Sequence, residues 1–220
     1  MRNILDIFSD KKILIYGLGK TGISTFNFLK KKCKVFLFDD VRKNLRLSKY
    51  KFVLKSNFDY IVISPGIDIN NCKLSKFLKK NSNKIYSDLD IFYSFYKNDC
   101  ITITGTNGKS TVCQILYEVL RKHKRDVKLV GNIGNPILSV KKIKPKTIFV
   151  IEASSYQLEY SKIFKSKYGV ILNITPDHIE RHKTINKYVK AKFKLLKHQS
   201  KKSFGFVKNS DPLIKKELKN

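Results

Sequence analysis

A chain of 220 residues with 42% hydrophobic and 29% charged content can bury one or two real cores, and no apolar run reaches the roughly 18 residues that span a bilayer. The net charge is +29, from 46 Lys+Arg against 17 Asp+Glu, yet the basic residues are mostly lysines spread along the whole chain. Base and phosphate readers are typically arginines gathered on one face, so the pattern argues against a physiological nucleic-acid partner while leaving a field that attracts anionic nucleotides.

The predicted elements alternate between strand and helix. Lys12-Ile13-Leu14-Ile15-Tyr16 is a short apolar strand ending in glycine, and residues 23–29 carry helical spacing. Val35-Phe36-Leu37-Phe38 and Tyr60-Ile61-Val62-Ile63 are further buried strands, followed by a helix over 74–78 and a short strand at Ile85-Tyr86. A second unit restarts at Ile101-Thr102-Ile103-Thr104, with a Gly-rich turn and a helix over 109–122. Strands follow at 127–130, 148–151 and 169–172, then a basic helix over 188–196 and a last strand at 204–207. This alternation predicts an α/β fold with parallel sheets covered on both faces. The expected organisation is a Rossmann-like domain over 1–97, abutting an incomplete P-loop-type α/β ATPase domain over 98–220.

The amino-terminal stretch, residues 1–9, lacks the apolar core and cleavage site of a signal peptide, so the expected compartment is the cytoplasm. Cys33, Cys72, Cys100 and Cys113 have no CxxC spacing and read as free thiols rather than a zinc site or disulfide framework.

Two glycine-rich turns carry the chemistry. Gly17-Leu18-Gly19-Lys20-Thr21-Gly22 follows a strand and opens a helix, and Asp40 ends the next strand. Glycines there allow a tight turn and close approach to a diphosphate, and the acid can hold ribose hydroxyls. NAD and UDP-sugars present the same groups, so the pattern leaves the ligand open. Thr104-Gly105-Thr106-Asn107-Gly108-Lys109-Ser110-Thr111 lies between a strand and a helix. Its amides would cradle phosphates, Lys109 would reach the β/γ-phosphates, and the Ser110 hydroxyl would ligate Mg²⁺. The first glycine of the general P-loop pattern would fall at Ile103, so the loop is a shortened variant.

The sequence TGTNGKST resembles the ATP loop of the Mur ligases and folylpolyglutamate synthases. The GLGKTG loop, Ser64-Pro65-Gly66-Ile67, Gly131-Asn132-Ile133-Gly134-Asn135-Pro136 and Glu152-Ala153-Ser154-Ser155-Tyr156-Gln157-Leu158-Glu159 resemble the D-glutamate-adding branch of the Mur ligases. So do Asn173-Ile174-Thr175-Pro176-Asp177-His178, Arg181-His182 and Tyr188-x-x-Ala191-Lys192. The resemblance runs through nearly the whole chain. It implies an ATP-dependent ligase joining D-glutamate to UDP-N-acetylmuramoyl-L-alanine through an acyl phosphate, for peptidoglycan synthesis. It also implies two Mg²⁺ ions and a CO₂-derived carbamate on Lys192. ATP would bind at Gly105, Thr106, Asn107, Gly108, Lys109, Ser110 and Thr111, with Lys109, His178 and Lys192 catalytic. Ser110, Glu152, His178 and Lys192 would serve the metals. Thr21, Asp40, Arg42, Gly66, Asn132 and Ser154 would hold the UDP-substrate. His182 and His123 read as ordinary histidines, and Asp177 as a group that orients His178 or caps the next segment. Such ligases carry a longer central domain and a third domain, neither of which this chain contains, and the complete enzyme is expected to be a monomer. The alternatives are a catalytically dead nucleotide-binding fragment, or another ligase of the Mur or folylpolyglutamate type. The domain order argues against the folate enzymes, which lack a UDP-binding domain before the ATP loop.

Overall fold

The computed structural model describes residues 6–42 and 46–219; the first five residues of the amino-terminal stretch and the last residue, Asn220, lie outside them. The chain divides into two compact units. The first gathers residues up to Tyr96 with Ile137–Ser139 and Tyr160–Lys162; the second holds Lys97–Pro136, Val140–Glu159 and the remainder from Ile163. Among the described residues no helix is long and apolar enough to cross a membrane.

The first unit is built on strands β1 (Lys12–Tyr16), β2 (Lys34–Phe38), β3 (Tyr60–Ile63) and β4 (Ile85–Tyr86), all parallel in the order β2-β1-β3-β4. Side chains alternate across a strand, so β1 sends Leu14 and Tyr16 to one face and Ile13 and Ile15 to the other, all fully buried. Leu14 and Tyr16 join Ile61, Ile63, Phe58, Leu74 and Leu78 in one core, beneath helices α2 (Tyr50–Lys55) and α3 (Ser75–Lys80). Helix α1 (Lys20–Leu29) starts three residues before the apolar spacing does, because its first turn is the polar end of the glycine loop. Helix α4 (Asp88–Phe95) opens on a reciprocal capping box between Ser87 and Asp90.

The second unit contains β5 (Cys100–Thr104), α5 (Lys109–Lys122), β6 (Val127–Gly131), β7 (Ile148–Glu152), α6 (Ser155–Tyr160) and β8 (Tyr168–Ile171). It continues through α7 (Ile179–His182), α8 (Ile185–Lys197), β9 (Phe204–Val207) and α9 (Pro212–Leu218). Its sheet is wholly parallel, in the order β6-β7-β5-β8-β9. Helix α5 lies over β5, β6 and β7, where Cys113 packs with Ile103, Val127 and Val150. Helix α8 covers the opposite face, packing Tyr188, Val189 and Phe193 on Ile171 and Ile214. Gly169 and Gly205 make room for Leu196 of α8, since a Cβ at Gly169 would sit 2.9 Å from its Cδ2. Phe204 and Phe206 point the other way and are more than half exposed, as is Ile115 on α5.

The third glycine of the first loop has a packing role. A Cβ at Gly22 would lie 1.9 Å from the Gly17 carbonyl oxygen, whereas one at Gly19 would meet nothing within 4 Å. Gly22→Ala is therefore expected to cost about 2 kcal/mol through overpacking, lowering the thermal midpoint by roughly 8 °C, while Gly19→Ala stays within about 0.5 kcal/mol of the parent. Thermal unfolding of the two variants checks both.

Candidate active site

Both sheets end in glycine turns at the carboxyl ends of their strands, where open parallel sheets bind ligands. In the first unit Gly17 has φ +89° and receives the Ser64 hydroxyl on its carbonyl at 2.6 Å. Ser64-Pro65-Gly66-Ile67 thus packs directly against the loop: a Cβ at Gly17 would strike Ile67 and Ser64. Thr21 is half-buried in the first turn of α1, and Gly66 is exposed. The open space at Gly19 is where a diphosphate could approach the backbone.

The acid that touches this loop is Asp39, which the sequence reading did not single out. Its Oδ2 accepts the Leu18 N–H at 2.6 Å and its Oδ1 accepts the N–H groups of Val41 and Arg42. Burial alone would raise its pKa, but the N–H donors of Arg42, Val41 and Leu18 hold it below the usual carboxylate value. Asp40 is held by the Tyr16 hydroxyl at 2.6 Å, and its Oδ1 is buried with no hydrogen-bond partner among the described residues. Burial, then the bond to Asp40, pushes the Tyr16 hydroxyl up. The adjacent Asp39-Asp40 pair was the available signal; spacing alone could not tell which carboxylate turns toward the loop.

In the second unit the loop after β5 is shaped by Gly105 (φ +153°) and Gly108 (φ +81°), the latter capping α5. Asn173 clamps it. Its Oδ1 accepts Thr106 and Asn107 N–H at 3.2 and 2.9 Å, and its amide donates to the Asn107 carbonyl. Asn173 belongs to a motif noted in the sequence without being given a role. The first-turn amides of α5, at Lys109, Ser110 and Thr111, have no intrahelical acceptor and point out of the helix start, a ready anion site on a 14-residue helix. Lys109 Nζ donates to the Thr106 carbonyl at 2.8 Å.

Glu152, 2% exposed at the end of β7, accepts the Ser110 hydroxyl at 2.7 Å and the Asn132 amide at 2.9 Å. Gly131 permits the approach: at φ +108°, its missing Cβ would lie 2.3 Å from the Glu152 carbonyl oxygen. Ser154 caps the next turn, exchanging hydrogen bonds with Gln157. Among the described residues no three His, Cys, Asp or Glu side chains converge as a metal cage. The Glu152–Ser110 oxygen pair nevertheless suits a Mg²⁺ shared with phosphate, because that ion takes few protein ligands and keeps phosphate oxygens and water.

His178 stands in the left-handed region (φ +54°) at the start of α7, with the Asp177 carboxylate 3.4 Å from its Nε2. Asp177 also accepts the His178 N–H. The His178 ring contacts Tyr156 at 5.0 Å and Tyr188 at 6.2 Å. Lys192, 2% exposed, donates to the Gly105 carbonyl at 2.8 Å and sits 4.5 Å over the Tyr188 ring. Tyr188 in turn pairs with the Thr106 hydroxyl at 3.1 Å. Burial first, then the charge of Lys109, pulls Lys192 down to about 7. His182 is buried too, and burial pushes it down to about 4.

The profile of the Mur ligase middle domain matches residues 103–220, more than half of the chain. The chain belongs to the Mur ligase family. A UDP-N-acetylmuramoylalanine–D-glutamate ligase from Rickettsia felis is 37% identical over 208 residues, covering 90% of this chain and 46% of the relative. The chain thus spans about half the length of the curated relatives it matches. Its fold is similar to that of a UDP-N-acetylmuramate:L-alanyl-gamma-D-glutamyl-meso-diaminopimelate ligase from Neisseria meningitides, with TM-score 0.59 and 15% identity over 95% of this chain and 74% of that one. A Thermotoga maritima MurF ligase in complex with ADP matches at TM-score 0.50 and 19% identity, over 99% of this chain and 47% of that one.

The buried lysine of α8 gives a pH signature. An unfolded lysine keeps its proton up to about 10.5, whereas Lys192 in the fold releases it near 7. The native state therefore binds fewer protons between those values, and this group's contribution to stability rises with pH across that window. Lys192→Met removes the effect, so the variant is expected to gain on the parent more at pH 6.5 than at pH 9.5. Urea unfolding at both pH values measures the difference.

Proposed function

We propose that this chain provides the ATP loop and UDP-substrate elements of a ligase that joins D-glutamate to UDP-N-acetylmuramoyl-L-alanine in peptidoglycan precursor synthesis. The observation that carries the reading is the Ser110–Glu152–Asn132 constellation beside the first-turn amides of α5. It is an arrangement that suits a magnesium–nucleoside triphosphate, in a chain whose curated relatives are named for D-glutamate addition.

In this reading the substrate carboxylate attacks the γ-phosphate to give an acyl phosphate and ADP. The amine of D-glutamate then displaces phosphate, losing a proton, to form the amide. Mg²⁺, when bound, neutralises charge on the phosphates. The α5 amides and Lys109 hold the phosphate oxygens, and Ser110 and Glu152 hold the metal with Asn132 orienting the carboxylate. His178 faces the reacting carboxylate. Thr21, Arg42, Gly66 and the Oδ1 of Asp40 serve the UDP part; Asn132 and Ser154 help place the substrate's phosphate and sugar. Lys192 is the carbamate site. CO₂ reacts only with a neutral amine, and a lysine drawn down to about 7 supplies one near neutral pH. Its conversion to an anion would replace a cation that costs about 4 kcal/mol per unit charge at about 4 Å from a like charge.

Two measurements on the whole chain test the assignment. Calorimetric titration is expected to show heat with UDP-N-acetylmuramoyl-L-alanine and none with NAD; the reverse result would remove the UDP reading. With ¹³C-bicarbonate at pH 8, a carbamate carbon signal is expected in the parent and not in Lys192→Ala. A signal retained in the variant would move the modification elsewhere.

A further inference from the structure

We propose that His182 is a positioning residue: bonded to Ser155 and stacked on Tyr156, its buried imidazole clamps α7 onto α6 and thereby fixes where His178 stands. The inference rests on the reading of His178 as a group facing the reacting carboxylate and metal.

Helix α7 cannot hold itself. It has four residues, and its closing hydrogen bonds run from Arg181 and His182 to the His178 carbonyl and from Lys183 to the Ile179 carbonyl. A single turn is unfavourable alone, because nucleation fixes several residues for little hydrogen bonding. Both flanks add strain: His178 and Lys183 are non-glycine residues at φ +54° and +68°. A tertiary contact must therefore over-determine this turn. His182 is the residue of α7 that is buried, with a side chain 0% exposed.

Its surroundings explain why the residue is a histidine rather than a phenylalanine. Nε2 lies 3.0 Å from Ser155 Oγ, which is buried at the start of α6. An apolar ring would leave that hydroxyl without this partner, at a real cost. The ring stacks on Tyr156 at 5.3 Å and 22°, and meets Tyr188 at 5.2 Å. Those are the two rings against which His178 leans. His182 thus links the strained residue to both of its supports without touching the reacting atoms.

The experiment uses the whole chain with ¹³C,¹⁵N-labelled histidine, MnCl₂ and ADP, and the variants His182→Phe and His182→Gln. Phenylalanine keeps the stack and loses the bond; glutamine brings an amide near the Nε2 position. His182→Phe is expected to raise amide exchange at residues 181–183 about tenfold, as for loss of one buried hydrogen bond, with the α8 amides unchanged. It is also expected to raise about tenfold the Mn²⁺–ADP concentration that broadens the His178 ring signals. His182→Gln should restore both. Unchanged exchange in His182→Phe overturns the proposal. So does raised exchange with unaltered broadening of His178, which would make His182 a structural residue only. If Mn²⁺–ADP fails to broaden His178 in the parent chain, the metal-facing reading of His178 falls, and the exchange result alone decides whether His182 holds α7.

Discussion

The second unit is organised around a charge that has been taken out of water. Glu152 is buried at the end of β7, and a carboxylate there is costly unless its oxygens are hydrogen-bonded. One oxygen is satisfied from the start of α5 and the other from the turn after β6. Three segments distant in sequence are therefore tied to one side chain, and each is restricted in what it can become. The turn after β6 needs glycine at 131 to come near enough; α5 needs a hydroxyl in its first turn; β7 must end where it does.

The glycine loop after β5 shows the same economy. Lys109 at its end donates to the Thr106 carbonyl and Lys192 of α8 to the Gly105 carbonyl, while Asn173, just past the end of β8, holds two of its amides. Polar groups that would otherwise be unsatisfied are thereby paired, and Gly105 and Gly108 hold the positive φ angles that the turn needs. Side chains and amides held this way lose little freedom if an anion arrives, which lowers the cost of binding it.

Much of this was written in local patterns. Buried parallel strands appear as short apolar runs, so β1 and β3 begin and end where the sequence says they should; the exposed β9 does so too, and the helix over 109–122 coincides with α5. The turns were readable because glycine at a strand end has few other uses. What escaped was short or dictated from elsewhere. Helices α2, α6, α7 and α9 are at most seven residues, too brief for a helical period to emerge. Helix α4 is rich in aromatics, and its capping box uses Asp90 in place of the usual Glu or Gln. At the site, side-chain direction was the missing quantity. Asp39 and Asp40 are neighbours with the same chemistry, and only the path of the chain after β2 turns one of them to Leu18. His182 read as an ordinary loop histidine because its burial depends on Ser155 and Tyr156, contacts that no local pattern announces.

The first unit recruits Ile137–Ser139 and Tyr160–Lys162 from far along the chain, and the buried Asp90 carboxylate receives the Ser161 hydroxyl and the Lys162 N–H. On a ribosome this has a temporal consequence. The first sheet can assemble early, since β1 to β4 come from one continuous stretch, but Asp90 has neither of these partners until residue 162 has emerged. By then β5, β6 and β7 are already made, and β5 is still waiting for β8. The first unit therefore receives its last segment only after much of the second has been made, and the second waits longer still, for β8 and β9. Their parallel, non-local pairings belong to the slow class of folding reactions.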